Sequence, residues 1–268
     1  MKVVTLIQAR NSSTRLPGKV MLPVCGKPML LQMIERVKKS EHVGTVSVIT
    51  TDLIEDDEIF NLCLDNNISV VRGHPTDLLD RHYQAAKYYK ADAIVKIPSD
   101  CPLIDSSIID RVIKHYLNNN FDYVSNLHPA TYPDGNDVEI MSFNTLENAW
   151  KNADKLFERE HTTPYIWENP DLHNIGNIEW ETGKDFSDKM RWTIDYEEDY
   201  QFIKTVYEKL QNRNNKFTFY DVLKLLEEKP EIALLNKRHA GKYWYENHLD
   251  ELNNIDEYKE KFGKVMNV

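Results

Sequence analysis

The chain has 268 residues, of which 41% are hydrophobic and 28% are charged, as in an ordinary globular protein that buries a full core. Its formal net charge of −10 argues against a general nucleic-acid binder, whose affinity would rest on a broad basic face, so any anion site must be local. The chain starts without a signal-peptide pattern, and no run approaches the ~18 apolar residues that span a membrane. We therefore expect a cytoplasmic protein that binds neither nucleic acid nor a membrane.

A loop rich in cations follows the first predicted strand. The apolar run at 3–7 is short enough for a buried strand, and residues 8–19 then read Q-A-R-N-S-S-T-R-L-P-G-K. This loop combines Arg10, Arg15 and Lys19 with hydroxyl side chains and a Pro-Gly turn. All of these groups donate to phosphate oxygens, and open α/β sheets bind ligands where their strands end. We predict a polyphosphate site here; the alternative is a basic surface loop, and the spacing matches neither a Walker loop nor the dinucleotide motif.

Helices and strands alternate through the rest of the first hundred residues. Apolar residues at helical spacing predict helices over 29–39, 52–64 and 78–89, and β-branched or apolar runs predict strands over 45–50, 69–71 and 93–97. Such alternation favours a parallel sheet with right-handed connections. We therefore predict a Rossmann-like α/β fold, with a mostly parallel sheet flanked by helices.

A turn between two prolines ends the predicted strand at 93–97. Asp100 lies in this turn, where a carboxylate is well placed to bind a divalent ion beside phosphates. Asp105 precedes apolar residues in helical rhythm, so we predict that it caps the next helix.

The alternation of helices and strands ends at residues 122–143. This segment is predicted to contain two short strands, at 123–125 and 138–141, separated by a long turn. We predict that this small insertion forms the acceptor pocket, because ordered loops on a rigid scaffold commonly carry function. Asn126, Asp137 and Glu139 are candidates for contacts with sugar hydroxyls. Turn chemistry and a solvated strand face explain the same residues equally well.

Two later segments contain further candidates. His161, next to Glu160, could titrate near neutrality, but a single histidine without a visible partner is more often structural. A predicted strand at 190–194 ends at Asp195, and an acidic helix follows. Asp195 either caps that helix or joins Asp100 around Mg²⁺.

The C-terminal part is predicted to be helical, with a helix at 220–228. We divide the chain into a domain at 1–225 and a helical C-terminal extension at 226–268. The extension contains three neighbouring aromatic residues, Tyr243, Trp244 and Tyr245. Together with Leu249, we expect them either to form a satellite helix or to contact a second subunit.

Several of these motifs together resemble those of a known family. They are Q-A-R at 8–10, R-L-P-G-K at 15–19, G-K-P-M at 26–29, D-C-P-L-I-D at 100–105, P-D-G-N-D-V-E at 133–139, R-E-H-T-T-P-Y at 159–165 and R-W-T-I-D at 191–195. The set resembles the sugar nucleotidyltransferases that use CTP, among them CMP-KDO synthetase and the acylneuraminate cytidylyltransferases. It looks most like the SpsF-type spore-coat polysaccharide cytidylyltransferases, over about residues 1–225.

The resemblance implies roles for individual residues. The implied nucleotide contacts are Gln8, Ala9, Arg10, Ser13, Arg15, Lys19, Arg72, Asp80, Arg81, Ser99 and Asp100, of which Arg10, Arg15, Lys19 and Asp100 are implied to be catalytic. For Glu160 and His161 the resemblance implies a place in the acceptor site or in a dimer contact. The candidate acceptor contacts are then Asn126, Asp137, Glu139, Glu160 and His161. Asp100 and Asp195 match the two metal-binding aspartates, which implies Mg²⁺ as the cofactor, and a homodimer is expected. For Arg72, Asp80 and Arg81, spacing alone favours exposed helix and turn positions.

The implied reaction is a CTP-dependent activation of a sugar, sugar acid or sugar phosphate with release of pyrophosphate, in surface polysaccharide or glycan biosynthesis. The sequence leaves the acceptor open and does not separate CTP from another nucleotide. The alternatives are a glycosyltransferase that uses a nucleotide sugar and a non-catalytic nucleotide-binding protein.

Overall fold

The four strands predicted in the first hundred residues form one parallel half of a sheet. The computed structural model describes residues 1–211, 216–242, 246, 248, 251 and 252. The nine strands are β1 Val3–Gln8, β2 Pro23–Val24, β3 Lys27–Pro28, β4 Thr45–Thr51, β5 Ser69–Gly73, β6 Ala93–Pro98, β7 Tyr123–Ser125, β8 Glu139–Ser142 and β9 Ile175–Asn177 within that part of the chain. In the parallel half, β1 lies between β4 and β6, and β5 pairs with β4. The predicted mostly parallel sheet is confirmed.

The short strands of the predicted insertion extend the same sheet. Its order is β5-β4-β1-β6-β8-β7-β9, with β8 antiparallel to both of its neighbours and β7 parallel to β9. β2 and β3 form a separate two-stranded hairpin. Since β8 pairs directly with β6, the long turn between β7 and β8 lies beside the end of β6, where Asp100 follows.

Helices cover both faces of the sheet. They are α1 Met29–Val37, α2 Asp57–Asp65, α3 Leu78–Tyr89, α4 Ser106–Leu117, α5 Phe143–Asn152, α6 Leu156–His161, α7 Pro164–Trp167, α8 Glu197–Gln211, α9 Phe219–Glu228 and α10 Pro230–Ala233. One apolar cluster includes residues of α1, α2, α4, α8 and α9, and a second includes residues of α3, α5, α6 and α7. Apolar runs such as β1 are therefore buried from both sides, as central parallel strands are.

Several local predictions can be compared directly with the structure. Asp105 caps α4, since its carboxylate accepts the backbone N–H of Ser107 at 2.9 Å. The predicted strand at 190–194 is wrong. The backbone bonds of this segment go to loops: Ile194 donates to the Asp100 carbonyl at 3.0 Å, and Arg191 forms an isolated bridge with Asp134.

The C-terminal predictions are only partly covered by the described residues. α9 and α10 are helical, as expected, and the predicted domain boundary at 225 falls inside α9. The division into two domains stays a prediction. The aromatic set at 243–245 and residue 249 lie outside the described residues. No helix within the described ranges combines the length and the apolar character needed to cross a bilayer.

Candidate active site

A cavity of about 730 Å³ opens where β1 and β6 end. It brings together most of the predicted site residues: Gln8, Ala9, Arg10, Ser13, Arg15, Lys19, Arg81, Ser99, Asp100, Asn126, Asp137, Glu139, Glu160, His161 and Asp195. These residues come from distant parts of the chain. The sheet edge gathers them, as expected for the carboxyl ends of parallel strands.

The cationic loop after β1 is held by hydrogen bonds to its neighbours. The Ala9 N–H donates to the Ile49 carbonyl at 3.0 Å, and the Asn11 N–H donates to Oδ1 of Asp56 at 2.7 Å. The loop closes through Gly18, whose N–H donates to the Asn11 carbonyl at 2.9 Å and whose φ of 68° is in the left-handed region that glycine adopts easily. The loop therefore presents its cations from a fixed backbone.

Lys19 lies in the part of the cavity that contains Asp100 and Asp195, which we call the phosphate end because the loop beside it is predicted to bind phosphates. Its Nζ donates to Oδ2 of Asp100 at 3.1 Å, to Oδ1 of Asp195 at 2.9 Å and to the Ile194 carbonyl at 2.8 Å. Only 12% of the side chain is exposed. Burial lowers the pKa of this lysine, but the two carboxylates outweigh burial and raise it. Lys19 is therefore a fixed positive charge.

Asp195 links Lys19 to two arginines. Its Oδ1 lies 2.7 Å from Nη2 of Arg15, and its Oδ2 accepts from Nη2 of Arg191 at 2.8 Å. Burial raises the pKa of Asp195, but Lys19 and Arg15 together bring it down to about 2. The carboxylate is ionised at any ordinary pH.

Arg191 is a site residue that the sequence analysis missed, although it opens the R-W-T-I-D motif. Its guanidinium, 3% exposed, contacts Asp134 at 2.9 Å as well as Asp195, and Asp199 at 3.1 Å. Asp199 Oδ2 also accepts the backbone N–H groups of Asp195 and Tyr196. The carboxylate of Asp199, not that of Asp195, therefore accepts the backbone N–H groups just before α8. The prediction that Asp195 caps this helix is wrong.

The opposite end of the cavity contains a buried ion pair. Glu139 pairs with Lys96 and accepts a hydrogen bond from the Tyr123 hydroxyl at 2.6 Å. Burial raises the pKa of Glu139, but Lys96 outweighs burial and lowers it. Asn126 uses both ends of its amide within the protein, accepting from the Val138 N–H at 2.9 Å and donating to the Asn136 carbonyl at 2.7 Å. These two hydrogen bonds match the alternative given above, in which Asn126 stabilises a turn.

Glu160 and His161 lie between the two ends. Glu160 Oε1 is 3.8 Å from Nη2 of Arg10, in a pair that is half exposed. Burial, with a smaller contribution from Lys96, lowers the pKa of His161 to about 3. His161 is therefore a neutral imidazole near pH 7 and does not titrate there.

The chain matches the sequence model of the family described as Cytidylyltransferase over residues 4–240. It belongs to the cytidylyltransferase family. The spore coat polysaccharide biosynthesis protein SpsF of Bacillus subtilis is 29% identical over 236 residues, which cover 86% of this chain and 96% of SpsF. A 3-deoxy-manno-octulosonate cytidylyltransferase of Trichlorobacter lovleyi is 34% identical over 119 residues, 44% of this chain and 46% of that protein.

A solved structure shows the same relationship. A cytidylyltransferase from Leptospira borgpetersenii superposes with a TM-score of 0.82 at 37% identity, over 87% of this chain and 97% of that one. The predicted family, the Rossmann-like nucleotidyltransferase fold and the enzyme class are confirmed. This cytidylyltransferase is a nucleotidyltransferase.

Two predicted nucleotide contacts do not line the cavity. Arg72 donates from Nη1 to Oδ1 of Asp57 at 2.5 Å and from Nε to the Thr51 carbonyl at 2.8 Å, which holds β5 against the start of α2. Asp80 accepts from Nε1 of Trp150 at 2.9 Å and thereby joins α3 to α5. The structure gives both residues local structural contacts. Arg81, in contrast, is buried and lines the cavity.

The donor set at the phosphate end fits a hard divalent cation. Asp100 and Asp195 each place a carboxylate oxygen within 3.1 Å of the same ammonium nitrogen, so both point to one small region of the cavity. Oxygen ligands are those that Mg²⁺ takes, usually from one or two carboxylates together with substrate phosphates. No cluster of three or more metal-ligating side chains occurs in the described part of the chain. A metal here would depend on the nucleotide for its remaining ligands.

Asp137 gives a testable pH dependence. Burial, and next the charge of Asp100, raise the pKa of Asp137 to about 6. A carboxyl group whose pKa is raised by folding stabilises the protein below its unfolded pKa, and this stabilisation is lost as pH rises through 6. We expect Asp137→Asn to increase the free energy of unfolding by about 1–3 kcal/mol at pH 8, and by progressively less toward pH 4. Urea denaturation across this range measures the difference, with Asp65→Asn on exposed α2 surface as the control. An equal gain at both ends of the range would contradict the assignment.

Proposed function

We propose that this cytidylyltransferase transfers CMP from CTP to an acceptor of the sugar class and releases pyrophosphate. The observation that carries the proposal is Lys19, fixed between Asp100 and Asp195 in a cavity that Arg10 and Arg15 also line. This is a concentrated set of donors for phosphate oxygens in a protein of net charge −10. The names of the relatives support the substrates: one is a 3-deoxy-manno-octulosonate cytidylyltransferase and one is a spore coat polysaccharide biosynthesis protein.

The acceptor we favour is a sugar acid that reacts through a hydroxyl group, within surface polysaccharide biosynthesis. The hydroxyl oxygen attacks the α-phosphorus of CTP and loses its proton to solvent. The bond from the α-phosphorus to the bridging oxygen breaks, and pyrophosphate departs. The protein forms no covalent intermediate, so catalysis rests on positioning and on charge stabilisation.

The cations have different roles in the proposed reaction, according to their positions in the cavity. Arg10 and Arg15 bind the β- and γ-phosphates, and both side chains are accessible enough to reach a nucleotide. Lys19 stabilises the charge that accumulates on the departing pyrophosphate, because its ammonium is already held in place and needs no reorganisation. Asp100 and Asp195 would hold Mg²⁺, which would neutralise phosphate charge when it is bound. The homodimer remains a prediction.

The first experiment is pyrophosphate release from each of the four nucleoside triphosphates with Mg²⁺ and a pool of sugar acids and sugar phosphates. We expect release with CTP and a sugar acid. Release with another nucleotide alone would contradict the choice of CTP. Release of CMP from a ready-made CMP-sugar, without pyrophosphate, would instead indicate a glycosyltransferase.

Asp100→Asn tests the carboxylate at the phosphate end. The amide keeps the shape of the side chain but removes its charge, so we expect kcat to fall by about 10²-fold or more. The Mg²⁺ concentration for half-maximal activity should also rise, because a carboxylate ligand is lost. Pyrophosphate release measures both effects, with Asp65→Asn as the matched control at an exposed position. Activity equal to that of the control would remove Asp100 from the mechanism.

A further inference from the structure

A lysine and a glutamate face each other across two neighbouring strands, at the end of the cavity away from the phosphate end. Lys96 of β6 is the register partner of Glu139 of β8, and their side chains form an ion pair. Both residues line the cavity. Lys96 is the more accessible of the two, with 10% of its side chain exposed against 2% for Glu139. A ligand in this part of the cavity, which we call the acceptor end, therefore meets the ammonium rather than the carboxylate.

Glu139 is held by three donors of the protein. Besides the bond from Lys96, it accepts a hydrogen bond from the Tyr123 hydroxyl at 2.6 Å and another from the Thr163 side chain. Lys96 is engaged less completely. An ammonium group has three donors, and among the described residues Glu139 is the one hydrogen-bond partner of Lys96. The pair therefore offers a ligand mainly the donors of Lys96.

Two histidines beside the ion pair carry no charge near pH 7. Burial lowers the pKa of His128 to about 4 and that of His161 to about 3, and the charge of Lys96 contributes to both shifts. The centre of the His128 ring lies 4.7 Å from that of the Trp167 ring, and all three rings line the cavity. Lys96 therefore supplies positive charge to a part of the cavity that otherwise presents neutral rings.

The acceptor end lies near enough to the phosphate end for one small molecule to reach both. Asp137 is close to Asp100 and to Lys96, because the charge of each changes the pKa of its carboxyl group. A sugar acid held at Lys96 can therefore present a hydroxyl group to a nucleotide phosphate beside Asp100. Lys19 and Arg15, which both contact Asp195, remain at the phosphate end for the nucleotide.

We propose that Lys96 binds the carboxylate of the acceptor and thereby selects acceptors that have an acid group. The proposal rests on the proposed function, because it assumes a sugar-acid acceptor. The donors of Lys96 that Glu139 leaves unused bind the carboxylate oxygens, and Glu139 fixes the position of the ammonium. Glu139 also competes with the acceptor for Lys96, so removing its charge should strengthen acceptor binding. Lys96 and Glu139 therefore have opposite effects on the affinity for a sugar acid.

The first test is kinetic and uses Lys96→Met in the full chain. With the sugar acid that the wild type turns over fastest, we expect the KM for the acceptor to rise about 10- to 100-fold, the effect of losing one charged hydrogen bond. The KM for CTP should not change. With the methyl ester of the same sugar acid, which has no charge to bind, Lys96→Met and the wild type should differ little. Lys209→Met, at an exposed position of α8, is the control.

Two further variants separate acceptor binding from folding. Lys96→Met leaves Glu139 buried without its cation, so the double variant Lys96→Met/Glu139→Gln removes both charges together. The double variant should show the same rise in the KM for the sugar acid. Glu139→Gln alone keeps Lys96 and removes the competing charge, so its KM for the sugar acid should fall below that of the wild type. Circular dichroism checks that each variant is folded.

Three results would overturn the assignment of Lys96. They are an unchanged acceptor KM in the folded double variant, an equal loss with acid and ester, and a raised acceptor KM in Glu139→Gln, which would show a general disturbance of the site. A wild-type enzyme that turns over no sugar acid would overturn the proposed function as well. That failure appears in the wild type before any variant is made, whereas failure of the Lys96 assignment alone appears only in the variants.

Discussion

Replacing Lys19 with alanine is expected to lower kcat for pyrophosphate release by about 10²–10³-fold. The ammonium contacts Asp100 and Asp195 at once. In the proposed reaction it lies beside the departing pyrophosphate, so alanine would remove charge stabilisation that water cannot replace in a buried site. The KM for the acceptor should change much less, because Lys19 lies at the phosphate end. Initial rates of pyrophosphate release, measured over a range of both substrates, separate these effects.

A control variant and a measure of folding complete this test. Lys27→Ala removes a half-exposed lysine that pairs with Glu35 on the surface, so its activity should equal that of the wild type. Lys19→Ala should remain folded, because Arg15 and Arg191 still compensate Asp195. Circular dichroism checks this point. Turnover within about twofold of Lys27→Ala would exclude Lys19 from the stabilisation proposed here.

The grouping of cations at the phosphate end could be predicted, because the residues that form it lie close together in the sequence. Arg10, Arg15 and Lys19 lie within one loop, and the position of this loop follows from the strand before it. Asp100 likewise follows directly from β6. Since β1 and β6 are adjacent in the sheet, two local predictions become one site without any knowledge of side-chain contacts.

The role of Arg191 could not be predicted in the same way. It depends on Asp134, Asp195 and Asp199 converging on one guanidinium, and Asp134 is 57 residues away in the chain. The error in the neighbouring strand has the same origin. Residues 190–194 have the apolar and β-branched composition of a strand, but the sheet offers them no partner, and their backbone bonds go to the loops at Asp100 and Asp134.

The residues predicted to contact the acceptor could not be assigned from the sequence, for a different reason. Asn126 and Glu139 were weighed equally as ligand contacts and as structural residues, and both side chains are engaged within the protein. Polar residues near a site look alike in sequence whether they face a ligand or hold a turn, because both uses require the same donors and acceptors. Lys96 lay within a predicted strand, so its place in the cavity came from the fold alone.

The ion pairs at the phosphate end explain how a chain of net charge −10 can present cations to an anion. Buried Lys19 and Arg191 are stable because aspartates neutralise them before any substrate binds. In the proposed reaction, phosphates would replace carboxylates as partners of Arg15 and Lys19. The exchange keeps the cations in place and replaces one set of charge-assisted hydrogen bonds with another, so binding needs little reorganisation.

This argument makes Arg191 a residue on which stability depends, and Arg191→Met is expected to lower the free energy of unfolding by about 3–5 kcal/mol. Methionine fills much of the same volume, but it leaves Asp199, which is fully buried, without its cation. Asn236 still donates to Asp199 and limits the loss, but an amide does not neutralise the charge. Urea denaturation at pH 7 measures the change directly.

Arg238→Met is the matched control, because Arg238 also pairs with a carboxylate of α8 but is largely exposed. Exposed pairs contribute about 0–1 kcal/mol, so the two arginines should differ clearly. Arg191→Lys should fall between them, since an ammonium keeps the charge but cannot bond three aspartates with the geometry of a guanidinium. If Arg191→Met and Arg238→Met were equally stable, the three aspartates would have to be compensated from elsewhere, and Arg191 would not be the residue that holds Asp195 toward Lys19.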